Sequence, residues 1–489
     1  MLLILWSISG RAQTILTMEQ AMEIAEKGSP SLQSSMFNLE RTRESLNAQR
    51  AALKSNFSLN VAPVTFSNSR KFEINPDAAW YTNNSFSTGG TFAVSQPILA
   101  TDGVLALTNN FSWGSATSTS PKGSFQNKSF VNNLNLSLTQ PLFTYNRTKV
   151  TIKTLELNHE NAMLNYAMQR LTLEKTVAQY FYNVYLSQMG LTVKQDELTN
   201  TQKSYDIIKN KADAGLSALG ELYQAEVSLA TAKSGVESGR VSLESAKDIF
   251  KQYIGMDIFA EITVAADVVV TPIEVDAKKA MENGLASRME LRQRQISIET
   301  SLFDMLAVKA LNEFRGDMKL SVGIAGDDPD LARIYNRPTN SPAVSLGFNI
   351  PLYDWGEKKA RIRSQEAVIN TQKLSLTSQE TQIKVDIRQS VRNLGNLKNQ
   401  IEIAMITQKN SQLTYDINLE RFKNGDLTSM DLNLFQQQLS SSKMSYAQAL
   451  INYKIELLNL KITSLYDFTT NEPVIPEKYF KEYRSNIKM

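Results

Sequence analysis

Residues Ala343 to Ile362 read AVSLGFNIPLYDWGEKKARI. Val344, Leu346, Phe348 and Ile350 alternate with Ser345, Gly347 and Asn349, so the stretch opens as a strand with one apolar face and one small, polar face. Pro351 cannot donate to a sheet ladder and ends it. After Trp355-Gly356 the sequence is charged and helix-favouring, with few breakers before Gly425. A strand therefore runs directly into a very long helix. The same junction occurs earlier, from Leu134 to Ile152, as LNLSLTQPLFTYNRTKVTI. There Leu134, Leu136 and Leu138 alternate with Asn135, Ser137 and Thr139, and Pro141 holds the place of Pro351.

The two halves of the chain keep a fixed spacing. Pro351 stands 210 residues after Pro141, Gly425 stands 210 after Gly215, and Asp467 stands 210 after Asp257. Helices that are alike only by chance do not hold three punctuation marks in register. AMEIAEKGSPSL from Ala21 also resembles AMENGLASRMEL from Ala280. Leu32 lies further from Pro141 than Leu291 lies from Pro351, so the first half carries an insertion. An additional strand pair around residues 87–113 is the expected source.

Composition bounds the function. The chain has 489 residues, 42% of them hydrophobic, and a mean hydropathy of −0.28. No stretch after the N-terminus approaches the roughly 20 apolar residues that a spanning helix needs. Alternating barrel strands barely register on such an average, so a membrane location stays open. The net charge of +3 gives no argument for nucleic acid. With no cysteine and a single histidine, His159, there is no disulfide framework, thiolate nucleophile or Cys/His metal site. His159 sits within a helical run and reads as structural. Residues 1–12, MLLILWSISGRA, read as the remnant of a secretory signal with a cut before Gln13; the other reading is a buried N-terminal segment.

Along the chain, helices are expected over 17–27 and 31–54, the first stopped by Gly28-Ser29-Pro30. Residues 57–140 are rich in Ser, Thr, Asn and Gly, with short alternating runs that fit four strands. Two long polar connections, 68–85 and 114–129, are expected to alternate with one tight turn at 100–103, a habit of outer-membrane barrels. Residues 147–213 form a helix of about 100 Å. Gly215 ends it as a left-handed C′ glycine would. A helix returns over 217–254, and a short strand or two follow within 262–270. The cycle then restarts with helices over 276–285 and 288–314, a strand at 320–324, a polar loop over 327–342 and the strand quoted above. A second helix of about 100 Å spans 357–424. Its Ile362, Ile369, Leu376 and Ile383 recur every seven residues, as in a coiled-coil seam. Gly425 ends it and a helix returns over 428–466. Such a seam needs partners, and so few strands leave open edges, so both problems point to symmetric association.

Together LSLTQPLFTYNR, VSLGFNIPLYDWGEKKARI, the tips ADAGLSALGELYQAEVSLATAK and RFKNGDLTSMDLNLFQQQLSSSK, and the duplication that joins them resemble the TolC family of outer-membrane efflux proteins. The resemblance runs from about Thr17 to Asp467. It implies an α+β, mostly α fold: an internally duplicated chain that forms a trimeric outer-membrane β-barrel, continued by a long periplasmic α-helical coiled-coil barrel. The implied parts are a signal remnant (1–12), N-terminal periplasmic helices (13–56), first-repeat barrel strands with the inserted pair (57–140) and a first long hairpin (141–255). An equatorial segment (256–287), a second-repeat helix (288–316), second-repeat strands (317–350), a second long hairpin (351–467) and a tail (468–489) follow. The implied function is that of a passive duct of a tripartite efflux or type I secretion system. Its implied partners are two further copies, a periplasmic adaptor protein, an inner-membrane transporter of the RND or ABC type, and outer-membrane lipid. No cofactor, metal or catalytic residue is implied. The family has four strands per chain. Six are counted here, giving eighteen per trimer if the inserted pair joins the barrel, or twelve if it projects as a hairpin.

The candidate sites follow from the same resemblance. Gly215-Leu216 and Gly425-Asp426-Leu427 hold the helix-turn-helix tips where the adaptor docks. As glycines alone they need no more than a helical hairpin to explain them, but Leu216 and Leu427 at exposed tips do. Six residues past each tip glycine stands a carboxylate, Glu221 and Asp431, and three copies of each would form an acidic ring at the entrance. The alternative for Asp431 is a capping box with Thr428. Leu434 stands where some members carry a second acidic residue, Leu427 stands at a gate-bridging arginine position, and Phe422 replaces a gate tyrosine. Closure is therefore expected to rest on packing. Pro141, Pro351 and Gly356 mark the strand-to-helix junctions. Trp80, Tyr81, Trp113 and Trp355 fit either interfacial belts or ordinary packing. A periplasmic coiled-coil adaptor is the rival reading, but it would have one hairpin and no duplication. No phosphate loop or nucleophile motif favours an enzyme, and a purely structural coiled coil leaves the strands unexplained.

Overall fold

The computed structural model describes residues 14–74, 79–121 and 123–474. The expected signal remnant and most of the expected tail lie outside them. In chain order the elements are β1 (Thr14–Leu16), α1 (Met18–Gly28), α2 (Pro30–Ala51), β2 (Asn56–Glu73), β3 (Ala79–Ile98), β4 (Gly103–Ser120) and β5 (Gly123–Leu142). Then come α3 (Arg147–Asp213), α4 (Leu219–Ile254), β6 (Ile262–Val264), α5 (Ala277–Ser287), α6 (Met289–Lys309), β7 (Arg315–Asp328) and a 3-10 turn (Leu331–Arg333). β8 (Thr339–Asn340), β9 (Ala343–Asn349), α7 (Glu357–Asn424), α8 (Ser429–Ser464) and the short antiparallel pair β10 (Tyr466–Asp467) and β11 (Glu472–Pro473) complete them. No described helix is long and apolar enough to cross a membrane.

The chain divides into two compact units. One comprises Glu40–Asn161 and Gln295–Leu374 and holds a single antiparallel sheet, ordered β2-β3-β4-β5-β7, with β9 and the short β8 on the far side of β7. Its register is nearly unbroken, so straight rows of side chains cross it. Phe57, Val94, Leu107, Leu136 and Val322 form one row, and Gln96, Leu105, Leu138, Leu320 and Val344 another. On the opposite face run Ser58, Ala93, Thr108, Asn135 and Gly323. One face is thus mainly apolar, interrupted by Gln96 and by Asn109 and Asn132, which hydrogen-bond to each other (3.0 Å), and the other is small and polar, because side chains alternate along every strand.

Two sequence expectations need correction here. The long polar connections at 68–85 and 114–129 are mostly strand: β2 runs to Glu73 and β3 resumes at Ala79, while β4 runs to Ser120 and β5 resumes at Gly123. These stretches are largely polar on both faces, so alternation vanishes although the backbone ladder continues. The second correction concerns the insertion. A 210-residue offset places β7 on β4 and β9 on β5, which makes β2–β3 the surplus pair rather than residues 87–113. Smaller departures are that α6 stops at Lys309, five residues before the expected end and with a turn leading into β7, and that only Ile262–Val264 is strand within 262–270.

The surplus hairpin is fastened to the first strand-to-helix junction. Asp102, in the turn between β3 and β4, has φ of 62°. Its carboxylate accepts hydrogen bonds from the backbone N–H groups of Arg147 (3.2 Å) and Thr148 (3.1 Å), and from the Thr148 hydroxyl. Asn146 adds Oδ1 as acceptor for Lys149 N (2.7 Å) and donates to Leu99 O (2.6 Å). These acceptors satisfy donors that the first turn of α3 cannot pair internally. In the second repeat the cap is local. Asp354 accepts from the backbone N–H groups of Gly356 (3.0 Å) and Lys358 (3.1 Å), which hold its carboxyl below the usual carboxylate range. That cap is present at neutral pH and is lost as pH falls through the lowered value. Asp102→Ala is expected to destabilise the sheet unit by about 2 kcal/mol, combining the lost cap and a left-handed alanine. Asp102→Asn should cost under about 1 kcal/mol. Thermal melts followed at the strand signal check both.

The other unit comprises Met1–Leu39, Ala162–Arg294 and Ser375–Met489. It is mainly helical, with β1 and β6 paired in parallel. Its largest core joins Leu16, Ala21 and Ala25 to Phe181, Phe250 and Ile254. A second joins Ala280 and Leu291 to Ile383, Ile387, Tyr453 and Leu460. Burial on α7 follows the seven-residue seam, since Ile369 and Ile383 are buried and Ile362 and Leu376 half-buried. α3 and α7 span the residues expected for them, because neither holds a proline and each ends at a glycine that takes positive φ (Gly215, 70°; Gly425, 93°).

Candidate functional site

Two regions could do work: the helix tips and the two-faced sheet. At the tips, both long helices end in the same way. Leu216 N donates to Lys211 O (2.8 Å) and Gly215 N to Ala212 O (2.9 Å). Asp426 N donates to Arg421 O (2.9 Å) and Gly425 N to Phe422 O (3.1 Å). This doubled bonding satisfies the last carbonyls and turns the chain sharply.

Beyond the caps, both hairpin tips share one apolar cluster. Ile208, Ala225, Tyr415, Phe422, Leu432 and Leu439 are buried in it. Leu427, expected at an exposed tip, packs half-buried against this cluster, because the Thr428 cap turns it inward, whereas Leu216 is 79% exposed. Phe422 is 3% exposed, and the Lys211 ammonium lies 5.9 Å from the centre of its ring. Burial, and then the Asp416 charge, push the Tyr415 phenol above its ordinary value. Sequence reasoning missed Lys211, because its contact crosses the repeat and no local pattern signals it.

The two carboxylates sit in the first turns of the returning helices. Asp431 N donates to Thr428 Oγ1 (3.2 Å), and the Thr428 hydroxyl donates to the Asp431 carboxylate (2.7 Å). The Ser217 hydroxyl donates to Glu221 in the same manner. Thr428 is therefore the cap of α8, and the Asp431 carboxylate answers its hydroxyl rather than its backbone N–H, so the pair is only half of a capping box; Asp431 is half-buried while Glu221 is exposed. Their neighbours Leu222 and Leu432 belong to the same tip cluster. Negative charge in the first turn of a helix is favoured by the helix dipole. An apolar stripe is left open on α4 at Leu219, Tyr223 and Val227, and another on α7 at Ile403, Ile406, Leu413 and Ile417.

On the sheet, the apolar face is bounded by aromatic residues. Trp113 packs against Phe86 (6.0 Å between ring centres) and Phe130 (6.4 Å). At the other end of the strands Phe314 stacks on Phe348 (5.6 Å) and meets Phe143 at a tilt (5.3 Å), beside the junction. About ten residues of β4 separate these levels, which at a barrel tilt is roughly the 25 Å of an outer-membrane apolar band. Trp80 lies further along, with the Arg70 guanidinium 5.0 Å from its ring, and Tyr81 points to the polar face. Trp355 is 89% exposed and edge-on to Tyr353. Pro141 pairs only with Asp317 of β7, beyond the last β4 partner, where a missing N–H costs nothing. Pro351 follows β9, and Gly356 takes φ of 85° just before α7. His159 is half-buried on α3, with Nδ1 3.3 Å from the Thr42 hydroxyl; burial, then Arg43 and Arg50, lower its pKa. Among the described residues no group of three or more acidic, histidine or cysteine side chains could hold a metal ion.

Comparison with known proteins gives the following. The family model described as outer membrane efflux protein matches residues 104–247 and again 317–462. The chain is 20% identical over 283 residues to the outer membrane efflux protein BepC of Brucella suis, covering 57% of this chain and 59% of that protein. It is 23% identical over 249 residues to the cation efflux system protein CusC of Escherichia coli K12, covering 48% and 53%. The matched stretches thus span little more than half of either relative. The fold is similar to that of the Campylobacter jejuni CmeC outer membrane channel, with a TM-score of 0.71 at 13% identity over 96% of this chain and 90% of that one. Both family matches begin at a strand, β4 and then β7, and leave β2–β3 outside.

Proposed function

We propose, from the premise that this chain belongs to the outer membrane efflux protein family, that three copies form a passive duct through which a pump exports substrates across the outer membrane. The strands form the outer-membrane wall and the helices a periplasmic conduit. The observation that carries this reading is the two-faced sheet with two unpaired edges, β2 and β9. In lipid every backbone group must be satisfied, so such a sheet persists only when its edges meet others and close. Its apolar face then meets lipid and its Ser, Thr, Asn and Gly face meets water. The open stripes on α4 and α7 are the complementary requirement of the helices, and neighbouring copies cover them. The tips at Gly215-Leu216 and Gly425-Asp426-Leu427 receive a periplasmic adaptor, which connects the duct to an inner-membrane transporter. Two helical hairpins and a broad sheet argue against the chain being the adaptor itself.

Purified protein in mild detergent should run as a trimer and produce discrete conductance steps in planar bilayers. A monomer that stays dissolved without detergent overturns the reading. The carboxylates Glu221 and Asp431 give the entrance a preference for cations. Asp431→Asn keeps an acceptor for Thr428 and removes the charge, so the cation-to-anion permeability ratio should fall several-fold while melting changes by less than about 1 kcal/mol. An unchanged reversal potential removes the acidic ring and leaves the duct.

A further inference from the structure

The hairpin β2–β3 is surplus to the repeat, and its geometry says where it goes. It continues the sheet in plane. β3 pairs with β4 along its length, from Ile98↔Gly103 to Thr82↔Thr119. Its side chains keep the phase of the other strands: Phe57, Leu59, Phe92 and Val94 lie on the apolar face, and Ser58, Asn60, Thr91 and Ala93 on the polar one. A hairpin lying outside the wall would have no reason to keep that phase. It is also tied at its base. Gln96 donates to Leu53 O (2.8 Å) and accepts from the Ser55 hydroxyl (2.6 Å), and Asp102 caps α3.

The two free edges match. The ladder of β2 is regular over residues 56–62 and then shifts at a bulge between Ala62 and Thr65, where Pro63 removes a donor. β9 is seven residues long, the same length as segment 56–62. Both segments lie at the junction end of the sheet and run in opposite directions, as an antiparallel pair requires. Set flush, Phe57 faces Phe348, Leu59 faces Leu346 and Val61 faces Val344, with Ser58, Asn60 and Ala62 facing Gly347, Ser345 and Ala343. Apolar meets apolar and small meets small.

We propose that β2–β3 forms part of the barrel wall and that residues 56–62 of one copy receive β9 of the next, so that each copy supplies six wall strands. This rests on the three-copy duct proposed above; three copies then close eighteen strands. The flush register can be checked for closure. Following one row across a copy and over the seam displaces it by about six residues, hence about eighteen in three copies, and a shear equal to the strand number sets the tilt near 35°, at the edge of the barrel range. The backbone diameter is then about 33 Å, against about 22 Å for twelve strands of the same tilt. With a lumen face of small side chains, the wall passes solutes about 20 Å across and imposes no size filter below that.

The chain has no cysteine, so paired cysteines report the seam directly. Leu59→Cys with Leu346→Cys, oxidised in isolated outer membranes, is expected to give covalent dimer and trimer on non-reducing denaturing gels, from more than half of the protein. Phe57→Cys with Phe348→Cys is an independent second pair, which covers the failure of either variant to fold. Asn60→Cys with Leu346→Cys sets the two sulfurs on opposite faces and should give less than a tenth as much. If Leu107→Cys with Leu346→Cys gives the trimer while both β2 pairs give none, β4 is the edge and the hairpin lies outside the wall. That result overturns this proposal and leaves the duct. If no pair crosslinks in protein that is trimeric, the proposed seam is wrong; if the protein is monomeric, the duct reading fails with it.

Discussion

Gly255→Ala is expected to prevent the helical unit from reaching its folded state in useful yield. Gly255 ends α4 with φ of 73°, a conformation that costs an alanine about 1–2 kcal/mol. The larger penalty is spatial. A Cβ on Gly255 would stand 2.0 Å from the carbonyl oxygen of Gly28 and 2.8 Å from its Cα, and a Cβ on Gly28 would stand 2.6 Å from the carbonyl of Ile254. Two backbones meet there, and neither is a flexible side-chain end that can swing aside. Separating them pulls α1 away from α4, where Ala25, Phe250 and Ile254 are fully buried. The combined loss exceeds about 4 kcal/mol, a large part of the 5–15 kcal/mol that stabilises a typical fold. Gly395 provides the contrast: it lies within α7 with nothing within 4 Å of its added Cβ, so Gly395→Ala should raise helix stability by about 0.5–1 kcal/mol. Circular dichroism melts and the yield of membrane-inserted protein check both. A Gly255→Ala protein that melts within about 1 kcal/mol of the parent contradicts the close approach.

Phe422→Ala is expected to loosen the tips and let the duct leak. Phe422 is buried in the cluster that joins the α3–α4 and α7–α8 tips, and truncating a buried phenylalanine costs about 3–5 kcal/mol. That loss falls on a local contact, so it acts first on how the hairpin ends hold together. Resting conductance in planar bilayers should rise several-fold, and cells carrying the variant should admit solutes otherwise excluded. Phe422→Tyr keeps the ring and should stay near the parent value. Lys211→Ala removes only the cation above the ring, worth about 0.5–1 kcal/mol, and should produce a small increase. Unchanged conductance in Phe422→Ala, with tip amides still protected from exchange, would show that the cluster does not hold the duct shut.

The tips illustrate how far local sequence carries. Gly215 and Gly425 were legible as left-handed caps because each follows a long unbroken helical run, and no other residue type takes that turn so readily. The carboxylates were legible by their spacing from those glycines. The cluster beneath them was not. No local pattern singles out Tyr415 or Leu439, and only the approach of the two hairpins brings them to Ile208 and Ala225. The Asp102-Gly103 turn shows the same limit. Its residues announced a tight turn, but Asp102 caps a helix that begins 45 residues later in the chain.

By itself the sequence determined the duplication, both long helices with their ends, the strand-to-helix junctions at Pro141 and Pro351, and the family. These features are written in short-range physics: alternation of side chains, helix punctuation, and one spacing kept twice. Only the tertiary structure decided how far the strands run, since a polar strand shows no alternation and is held mainly by its backbone ladder. It also decided that β2–β3 is the surplus pair, that Leu427 turns inward, and that Gly28 and Gly255 must both lack side chains. Each of those depends on which distant segment arrives as neighbour, and the free energy that selects it comes from pairing and packing between residues far apart in the chain.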